Sequence, residues 1–560
     1  MMKPDPDKPS GQDGARVRDK NPAGSFHDNP VIYHLMTDRF HNSQPGRPAS
    51  YGRLSDATEI GAFHGGNFSG ISAKIKAGWF TRLGVNGILM TAPYEQIHGW
   101  VAAANGEFRY EAYHGYWVLD YTLVDDNFGS ADDLAELVAT AHAAGIRIIL
   151  DIVIGHAGYP DLLTMSEYLP EIVQAGWKAA TPQQYDCYLN YDNPRLQDWW
   201  GVEWVRAKLP SYLGGGDDDL SRLVYDMPKF RTESDVPVSL PTFLKNKPGS
   251  KAVDLPDAAV RDYLVHWLTA WVRQYGIDGF RCDSAKHVEL PVWQKLKAAA
   301  TVALQQWQQG NLPASDEKSP FWMTGEVFGN GIEKNIYFEH GFDNLINFQF
   351  QEELKNIFQD RDMADAYDRS LALHRLDKLY FRYATVLCAP AAHNVLSYIS
   401  SHDTELFDRE KLIDGGTALL LAPGGVQIFY GDETGRHAGP FTPSDMAQAT
   451  RSDMNWQAMD ERVLHHWRRL GMFRSRHVAI ARGVHNKLCD EPYIFSRQHQ
   501  ASGDSVVIVI GGEGEMKIDV GTCFAEGEVL RDAYSTQKIT MTDGHVTLDM
   551  MNGLILLERS

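Results

Sequence analysis

Short apolar runs alternate with amphipathic stretches between residue 30 and about residue 440 of the chain. Each run is almost continuously apolar, which is typical of a strand that is buried on both faces of a parallel sheet. Eight buried strands with helices between them predict a parallel (β/α)8 barrel, the TIM-barrel architecture of the α/β class. The runs are VIYHLMT (31–37), VNGILM (85–90), IRIILDIVI (146–154), DGFRCD (278–283), FWMTGEV (321–327), NLINFQF (344–350), VLSYIS (395–400) and VQIFYG (426–431).

The stretches between the runs carry the signals of helix ends and of a buried helix face. Ser130 followed by Asp133 predicts a capping box at the start of a helix. Large apolar side chains recur at the i, i+3, i+4 spacing of one helix face in residues 264–275, and Gly276 follows where that helix would end. These signals place helices between the strands, as a barrel requires.

Three regions depart from the alternation. Residues 157–250 are too long for a simple connection between a strand and a helix, which predicts an irregular inserted subdomain after the third strand. Beyond residue 455, strand-like runs separated by turns predict an antiparallel β-sandwich, and the Pro- and Gly-rich first residues predict a disordered or loosely attached arm. The predicted domains are the arm (1–28), the first part of the barrel (29–156), subdomain B (157–250), the second part of the barrel (251–454) and the C-terminal domain (455–560).

The charge of the chain limits its partners. Lysine and arginine number 53 and aspartate and glutamate number 73, so the net charge is −20. An acidic surface repels phosphate backbones and anionic lipid, so neither nucleic acid nor a membrane surface is expected as a partner. A neutral substrate is compatible with this charge, and we expect a monomer.

The N-terminus and the cysteines bear on the compartment. No apolar run approaches the roughly 20 residues that span a bilayer. The first residues, MMKPDPDKPSGQDG, lack the apolar core of a signal peptide. The sequence as written therefore predicts a cytoplasmic protein, and the alternative is a periplasmic or secreted protein whose signal peptide has been removed. The five cysteines are scattered without metal-ligand spacing, so reduced thiols are expected.

Ionisable residues interrupt the apolar runs where four of the predicted strands end. The third run leads to His156, the fourth to Asp283, the fifth to Glu326 and the seventh to Asp403. Reactive side chains in a parallel barrel come from the carboxyl ends of the strands, so these groups are expected around one mouth. One such aspartate would more often be a helix cap or a loop residue, but three carboxylates with an arginine and histidines indicate an active site.

This set of side chains suits the hydrolysis of a glycosidic bond with retention of configuration. One carboxylate attacks the anomeric carbon, and a second group, kept protonated, gives its proton to the leaving oxygen. Arg281 shares a face of the fourth strand with Asp283 and can hold that carboxylate ionised. Glu326 follows large apolar residues, and desolvation there would raise its pKa as a general acid requires. In a retaining site the two carboxyl groups should lie about 5–5.5 Å apart.

The same stretches form motifs that resemble those of glycoside hydrolase family 13, the α-amylase family. The resemblance covers roughly residues 30–440, and within the family it points to the bacterial periplasmic-type α-amylases. The motifs are Asp151-Ile-Val-Ile-Gly-His156, Gly279-Phe-Arg-Cys-Asp-Ser-Ala-Lys-His287, Gly325-Glu-Val-Phe-Gly329, Ser401-His-Asp403 and Tyr113-His-Gly-Tyr-Trp117.

The resemblance implies a role for each matching position. Asp283 would be the nucleophile, Glu326 the acid/base, and Asp403 the carboxylate that grips and distorts the sugar. Among the implied substrate-binding residues, Arg281 would orient the nucleophile, and His156 and His402 would hydrogen-bond the reacting sugar. Tyr116 would stack on that sugar, and Tyr113 and Trp117 belong to the same motif. Lys286 and His287 would contact the leaving-group sugars. The Lys–His pair is typical of α-1,4-glucan hydrolases, although Lys286 is also explained as a solvated rim charge.

The chain departs from the family pattern at its calcium site and after the last catalytic motif. Members that bind the structural calcium have Asn where this chain has Gly155, and an Asp of the inserted subdomain where Tyr188 falls. The remaining oxygen ligands are too few for calcium, which takes about six to eight. We therefore expect no required cofactor and a calcium site that is absent or altered, although Asp217–Asp219 leave a different calcium site open. Thr404, Glu405 and Leu406 follow Asp403 where many members carry an arginine, which leaves the non-reducing-side contacts in doubt.

The predicted function is that of an endo-acting α-amylase, which cleaves the α-1,4-glucosidic bonds of starch, glycogen and malto-oligosaccharides by double displacement. The alternative is an exo-acting hydrolase, α-glucosidase or transglycosylase on the same scaffold, because the inserted subdomain decides which end of the cleft is open. A binding protein without catalysis should lack one of the three carboxylates, and all three are present.

Overall fold

The computed structural model describes residues 24–53, 56–313, 318–388, 393–443 and 445–560. Most of the predicted N-terminal arm, residues 1–23, lies outside the described residues. Residues 24–28 lead into the first strand, and Phe26 packs edge-on against Trp322. Within the described ranges, no helix is both long and apolar enough to cross a membrane.

Eight parallel strands close into a barrel, which confirms the predicted (β/α)8 architecture. The last strand pairs with the first, where Val31 lies opposite Val426. Each strand falls within or overlaps one of the eight apolar runs, and nearly all of its residues are buried. The strands are β1 (Val31–Leu35), β2 (Gly87–Met90), β3 (Arg147–Ile152), β4 (Gly279–Cys282), β5 (Trp322–Gly325), β6 (Asn344–Asn347), β7 (Val395–Ser397) and β8 (Gly425–Phe429).

Helices cover the outside of the barrel and begin and end as the sequence predicts. The predicted capping box is formed, with the Asp133 amide donating to the Ser130 hydroxyl at 3.1 Å and the Ser130 amide donating to the Asp133 carboxylate at 2.8 Å. Gly276 ends its helix with φ 75°, a left-handed conformation that favours glycine. The main helices are α1 (Phe68–Lys76), α2 (Ala131–Ala143), α3 (Val260–Tyr275), α4 (Leu290–Asn311), α5 (Gln349–Phe358), α6 (Ala366–Leu387), α7 (Leu412–Leu420), α8 (Glu461–Arg476) and α9 (Val478–Arg482).

One connection departs from the regular alternation. All residues between β5 and β6 are described, and they contain a 3-10 helix, Ile336–Glu339, but no α-helix. The other short helical segments are the α-helices Thr37–Phe40, Leu162–Tyr168 and Thr242–Asn246 and the 3-10 helices Ser50–Gly52, Thr81–Leu83, Ala104–Gly106, Pro170–Ile172, Trp177–Ala179, Pro182–Tyr188, Pro194–Asp198, Val224–Asp226, Ala285–His287, Arg409–Lys411 and Met446–Arg451.

Subdomain B, the polypeptide between β3 and α3, is irregular as the sequence predicts. Short helices make up much of it, and its only regular pairing in the described residues is a two-stranded sheet of Val205–Arg206 and Lys229–Phe230. A second excursion follows β2, with the small strands Tyr94–Gln96, Trp100–Ala102, Arg109–Glu111 and Val118–Val124. Both excursions rise from the carboxyl ends of barrel strands, so they form walls beside the mouth.

The C-terminal domain is antiparallel, and its first strand begins at Val484. Between residue 455, where the sequence places the start of this domain, and Val484 lie α8 and α9. Helix α8 packs on the barrel, and its Trp467 indole donates to the Leu412 carbonyl at 3.0 Å. The sheets have the order β9-β10-β11-β16-β13-β14 and β12-β15, with β9 Val484–Cys489, β10 Tyr493–His499, β11 Asp504–Ile510, β12 Glu515–Asp519, β13 Val529–Asp532, β14 Lys538–Thr540, β15 His545–Asp549 and β16 Leu554–Arg559.

Two buried arginines, Arg474 from the barrel and Arg497 from this domain, satisfy carbonyl groups where the two domains meet. Arg474 of α8 donates to the carbonyls of Leu420 at 3.1 Å and Ala422 at 2.7 Å, just beyond the end of α7. Arg497 of β10 donates to the Leu421 carbonyl and, at 2.7 Å, to the Ile480 carbonyl. The carbonyl groups that α7 leaves unpaired at its end are therefore satisfied in part from the C-terminal domain.

Candidate active site

The three predicted catalytic carboxylates surround the mouth at the carboxyl ends of the barrel strands. Asp283 directly follows β4 and Glu326 directly follows β5, while Asp403 lies in the segment after β7. Backbone hydrogen bonds continue past the strands, because the Asp283 amide donates to the Ile152 carbonyl at 3.0 Å and the Glu326 amide to the Cys282 carbonyl at 3.0 Å. The barrel itself thus fixes the first two carboxylates.

One buried guanidinium ties these carboxylates together. Nη1 of Arg281, which is 2% exposed, lies 2.9 Å from Oδ1 of Asp283 and 2.7 Å from Oδ1 of Asp151. Nη2 of the same group lies 2.8 Å from Oε1 of Glu326 and 3.9 Å from Oδ2 of Asp403. Asp283 and Glu326 therefore flank one guanidinium at the mouth, as a nucleophile and an acid/base that act on the same bond must.

Glu326 is poised to carry a proton at neutral pH. Burial raises its pKa, the Arg281 guanidinium lowers it, and the neighbouring charges of Asp283 and Asp403 raise it further, to about 8. Its second oxygen, Oε2, accepts a hydrogen bond of 2.8 Å from the Ser284 amide, which fixes the direction of the carboxyl group. A protonated, oriented carboxyl group at this place has the properties of a general acid.

Asp403 has the opposite electrostatic environment. Burial raises its pKa, but His402 together with the guanidinium groups of Arg451 and Arg281 outweighs this and holds the pKa below its usual range. Nε2 of His402 lies 2.8 Å from Oδ2 of Asp403, and Nη2 of Arg451 lies 3.0 Å from Oδ1. The site therefore separates a proton-carrying carboxyl group from a permanently ionised one, which is the arrangement that acid–base chemistry needs.

Tyr116 connects the aromatic wall of the mouth to this network. Its hydroxyl donates to Oδ2 of Asp151 at 2.7 Å and lies 2.7 Å from Nε2 of His402. Its ring is nearly parallel to the ring of His402, with an interplanar angle of 13°. Tyr116 is half-buried, so part of its ring is free to pack against a sugar, as the sequence implies.

The remaining predicted substrate contacts differ in burial, since His156 is buried and Lys286 and His287 are half-exposed. His156 is buried at the end of β3, with Nε2 3.2 Å from the Tyr116 carbonyl, and burial lowers its pKa, which favours the neutral ring. Lys286 and His287 are half-exposed in the 3-10 helix after Asp283, and Nδ1 of His287 lies 2.6 Å from the Asp219 carbonyl. All three therefore stay beside the mouth.

Tyr113 and Trp117 are more deeply buried than Tyr116. Tyr113 is fully buried, with the Arg39 guanidinium 3.7 Å from its ring centroid and its hydroxyl donating to Gln448. Trp117 is 6% exposed and packs edge-on against Tyr110. Both rings are buried here, and the prediction that they contact the substrate stays a prediction.

Residues without a sequence-based role also belong to this site. Asp151 lies within the first motif and binds both Arg281 and Tyr116, so its position at the end of β3 was a usable signal. Arg451 comes from the irregular segment after β8, which has no periodicity or motif to reveal it. It reaches Asp403 and also donates to the Tyr110 hydroxyl at 2.6 Å. It thereby supplies the guanidinium that the residues directly after Asp403 do not.

The residues at the implied calcium site do not fit a calcium ion. Gly155 offers no side-chain oxygen, and Tyr188 lies against Gly176 with its carbonyl accepting from the Gln174 amide. The buried strand residue beside Gly155 is Lys229, a cation. Asp218, in the alternative acidic segment, accepts hydrogen bonds from Leu220 and Ser221 of its own turn. We propose that the family's calcium site is replaced here, and we derive no step through a metal.

The pKa of Glu326 predicts the alkaline limit of activity. If Glu326 donates a proton to the leaving oxygen, kcat/KM should fall as the pH rises through about 8, because the carboxyl group loses that proton. The check is a profile of kcat/KM for maltoheptaose from about pH 5 to about pH 10 at constant ionic strength. A fall that is complete below about pH 6 would show that Glu326 is not a general acid with a raised pKa.

Sequence comparison places the chain in a known family. A family model described as "Alpha amylase, catalytic domain" matches residues 34–208 and 243–474. The periplasmic alpha-amylase of Escherichia coli (strain K12) is 43% identical over 506 residues, which cover 86% of this chain and 72% of that protein. A cyclomaltodextrin glucanotransferase of Bacillus sp. (strain 1-1) is 26% identical over 498 residues, which cover 85% of this chain and 59% of that protein.

Solved structures share the fold over nearly the whole chain. An alpha-amylase from Geobacillus thermoleovorans, solved in complex with acarbose, superposes with a TM-score of 0.61 at 19% identity and covers 96% of this chain and 99% of its own. An Anoxybacillus alpha-amylase superposes with a TM-score of 0.62 at 21% identity, with the same coverage of 96% and 99%. Identities this low establish the architecture alone.

Proposed function

Because the chain belongs to the α-amylase family, we propose that it is an endo-acting α-amylase. It hydrolyses the α-1,4-glucosidic bonds of starch, glycogen and malto-oligosaccharides and retains the α configuration. The observation that carries this proposal is the Arg281 guanidinium, which holds both Asp283 and Glu326 while the pKa of Glu326 is raised to about 8. The name of the relative that is 43% identical, a periplasmic alpha-amylase, supports the same substrate class.

The reaction proceeds in two displacements. In the first, the carboxylate of Asp283 attacks the anomeric carbon, and the proton of Glu326 passes to the glycosidic oxygen as that bond breaks. The product of this step is a β-glycosyl ester on Asp283 and a shortened glucan chain. In the second, Glu326 takes a proton from water, which attacks the same carbon and releases Asp283. Two inversions give net retention.

The other side chains of the site prepare the sugar for this attack. Asp403 stays ionised, so it can accept hydrogen bonds from two sugar hydroxyl groups and strengthen them as positive charge develops at the ring. Tyr116 offers a flat face beneath the ring, and the neutral His156 ring, whose Nε2–H donates to the Tyr116 carbonyl at 3.2 Å, lies beside it. Arg281 keeps Asp283 directed toward the anomeric carbon throughout.

The products test the proposal. We expect soluble starch and maltoheptaose to give a spread of intermediate malto-oligosaccharides in the first minutes, with the α-anomer appearing first in proton NMR spectra. We expect the rates to be unchanged by a chelator. A single small product from the beginning would indicate an exo-acting enzyme, cyclic products would indicate a transglycosylase, and an initial β-anomer would contradict the double displacement.

The compartment and the assembly are further proposals. We propose a periplasmic enzyme, since the relative of 43% identity is named as periplasmic. We also propose that the enzyme acts as a monomer. Cell fractionation of the source organism with an antibody against this chain, and light scattering of the purified protein, test the two statements. Recovery with the cytoplasmic fraction would favour the cytoplasmic alternative.

A further inference from the structure

A lysine of subdomain B is buried where the subdomain meets the barrel. Lys229 is 3% exposed and lies in the short strand Lys229–Phe230. This strand runs beside the end of β3, because the Phe230 amide donates to the Gly155 carbonyl at 3.0 Å and Lys229 forms a β-bridge with His156. Lys229 therefore adjoins the position at which the family's calcium-binding members carry their asparagine.

The ammonium group of Lys229 makes a specific contact with the barrel. Nζ donates to the backbone carbonyl of His287. Burial lowers the pKa of Lys229, while the more distant charges of Glu289 and Glu233 raise it. Burying an ammonium group raises the free energy of the folded state unless its hydrogen bonds are satisfied. An apolar residue would therefore fill this space with a smaller loss of stability. The charge and the donor capacity of Lys229 are the properties that an apolar residue would lack.

The carbonyl that Lys229 holds belongs to the turn that follows the nucleophile. The turn is compact, since the His287 amide donates to the Ser284 carbonyl at 2.9 Å. Ser284 has φ 48°, a left-handed conformation that costs energy for any residue but glycine. In this conformation the Ser284 amide donates to Oε2 of Glu326, and the Ala285 amide donates to the Glu326 carbonyl at 2.9 Å. A contact at one end of the turn therefore stabilises the orientation of the acid/base.

Subdomain B also contacts the end of this turn and the residue that precedes α4. The Asp219 carbonyl lies 2.6 Å from Nδ1 of His287, and the Thr232 hydroxyl donates to the Glu289 carboxylate at 2.7 Å. Lys229 lies between these residues in the sequence and is the only one of the three that brings a positive charge. A divalent cation at this junction would likewise attract carbonyl oxygens from both sides.

We propose that the ammonium group of Lys229 is an internal cation that replaces calcium at the junction of subdomain B and the barrel, and that it is a positioning residue for the Ser284–His287 turn. The inference deepens the proposed function and rests on it. The ammonium group is covalently part of the chain, so a chelator does not remove it. Position 155 has room for a side chain, because a Cβ added to Gly155 would meet only the Val288 side chain, at 3.5 Å.

The first test replaces the ammonium group by an apolar group of similar length. We expect Lys229→Met to lower kcat/KM for maltoheptaose by about 10- to 100-fold, because the turn and Glu326 lose their fixed geometry. The matched control is Lys208→Met, which removes an exposed lysine of the same subdomain that pairs with Asp226 at 3.2 Å. The control should keep the activity of the unchanged enzyme.

The second test restores a metal site in place of the lysine. The double variant Gly155→Asn, Lys229→Asp supplies the family's asparagine at position 155 and a carboxylate in place of the ammonium group beside the His287 carbonyl. We expect it to bind one calcium ion in titration calorimetry, to melt at a higher temperature with calcium, and to gain activity at least about tenfold on calcium addition. The unchanged enzyme should show none of these responses at this site.

The outcomes separate this inference from the proposed function. If the unchanged enzyme fails to cleave starch, the proposed function is wrong, whereas calorimetry and melting still report on the cation. Full activity of Lys229→Met without calcium would overturn the inference. So would a loss of activity when the unchanged enzyme is treated with a chelator. If Lys229→Met does not fold, the double variant is the test. The inference is then overturned if the double variant binds no calcium and the unchanged enzyme does bind it.

Discussion

Replacing Asp283 by asparagine is expected to lower kcat for starch by on the order of 10⁴-fold or more, because the amide cannot form the glycosyl ester. The barrel should be intact, since the amide side chain would keep the shape of the carboxylate and Arg281 would keep its ion pair with Asp151 and its contact with Glu326. The measurements are steady-state kinetics with maltoheptaose and the melting temperature of the variant. Asp217→Asn, at an exposed position of subdomain B, is the matched control.

A smaller side chain tests the role itself. In Asp283→Ala, azide can enter from the face that the carboxylate occupied and attack α-maltosyl fluoride, with fluoride leaving. The expected product is β-maltosyl azide, inverted relative to the substrate. If this variant yields no azide adduct, or yields the α-azide, then Asp283 is not the nucleophile. Near-normal activity of Asp283→Asn would have the same meaning.

Replacing Glu326 by alanine is expected to lower kcat for starch by on the order of 10³-fold, because the sugar leaving group then departs without a proton. The loss in the first step should be much smaller for α-maltosyl fluoride, since fluoride needs less protonation to leave. The glycosyl ester on Asp283 should then accumulate, because no base activates water. Mass spectrometry of the quenched protein measures that ester.

Azide distinguishes this variant from the previous one. Azide needs no general base to attack. In Glu326→Ala it should therefore release the glycosyl ester from Asp283 as α-maltosyl azide, with retained configuration. Glu333→Gln is the matched control, because Glu333 is exposed in the same connection between β5 and β6. An equal loss with starch and with the fluoride would show that Glu326 does not act on the leaving group.

The strands and the catalytic carboxylates were predictable because their signals are local. Eight apolar runs, each followed by polar residues, define barrel strands without knowledge of distant contacts. Asp283, Glu326 and Asp403 stand out because each follows such a run at a barrel mouth. The absence of an α-helix between β5 and β6 could not be predicted in this way, because a connection of that length is long enough to contain a helix.

The contacts made by long side chains could not be predicted. Arg451 reaches Asp403 from a segment whose composition is that of an ordinary loop, and its relevance depends on how that loop folds back over the mouth. Lys229 resembles any lysine of an irregular subdomain until the structure shows that it is buried. Tyr113 and Trp117 belong to a motif that Tyr116 shares, and only tertiary packing decides which ring faces the cleft.

The buried arginine Arg497 has a consequence for the modularity of the chain. Because this residue of the sheet donates to the Leu421 carbonyl beyond the end of α7, the C-terminal sheet is not an accessory that recombination can add or remove freely. An exchange of this sheet between relatives would have to preserve the guanidinium at position 497 or supply another donor for the Leu421 carbonyl. The two domains should therefore be inherited together, as one evolutionary unit.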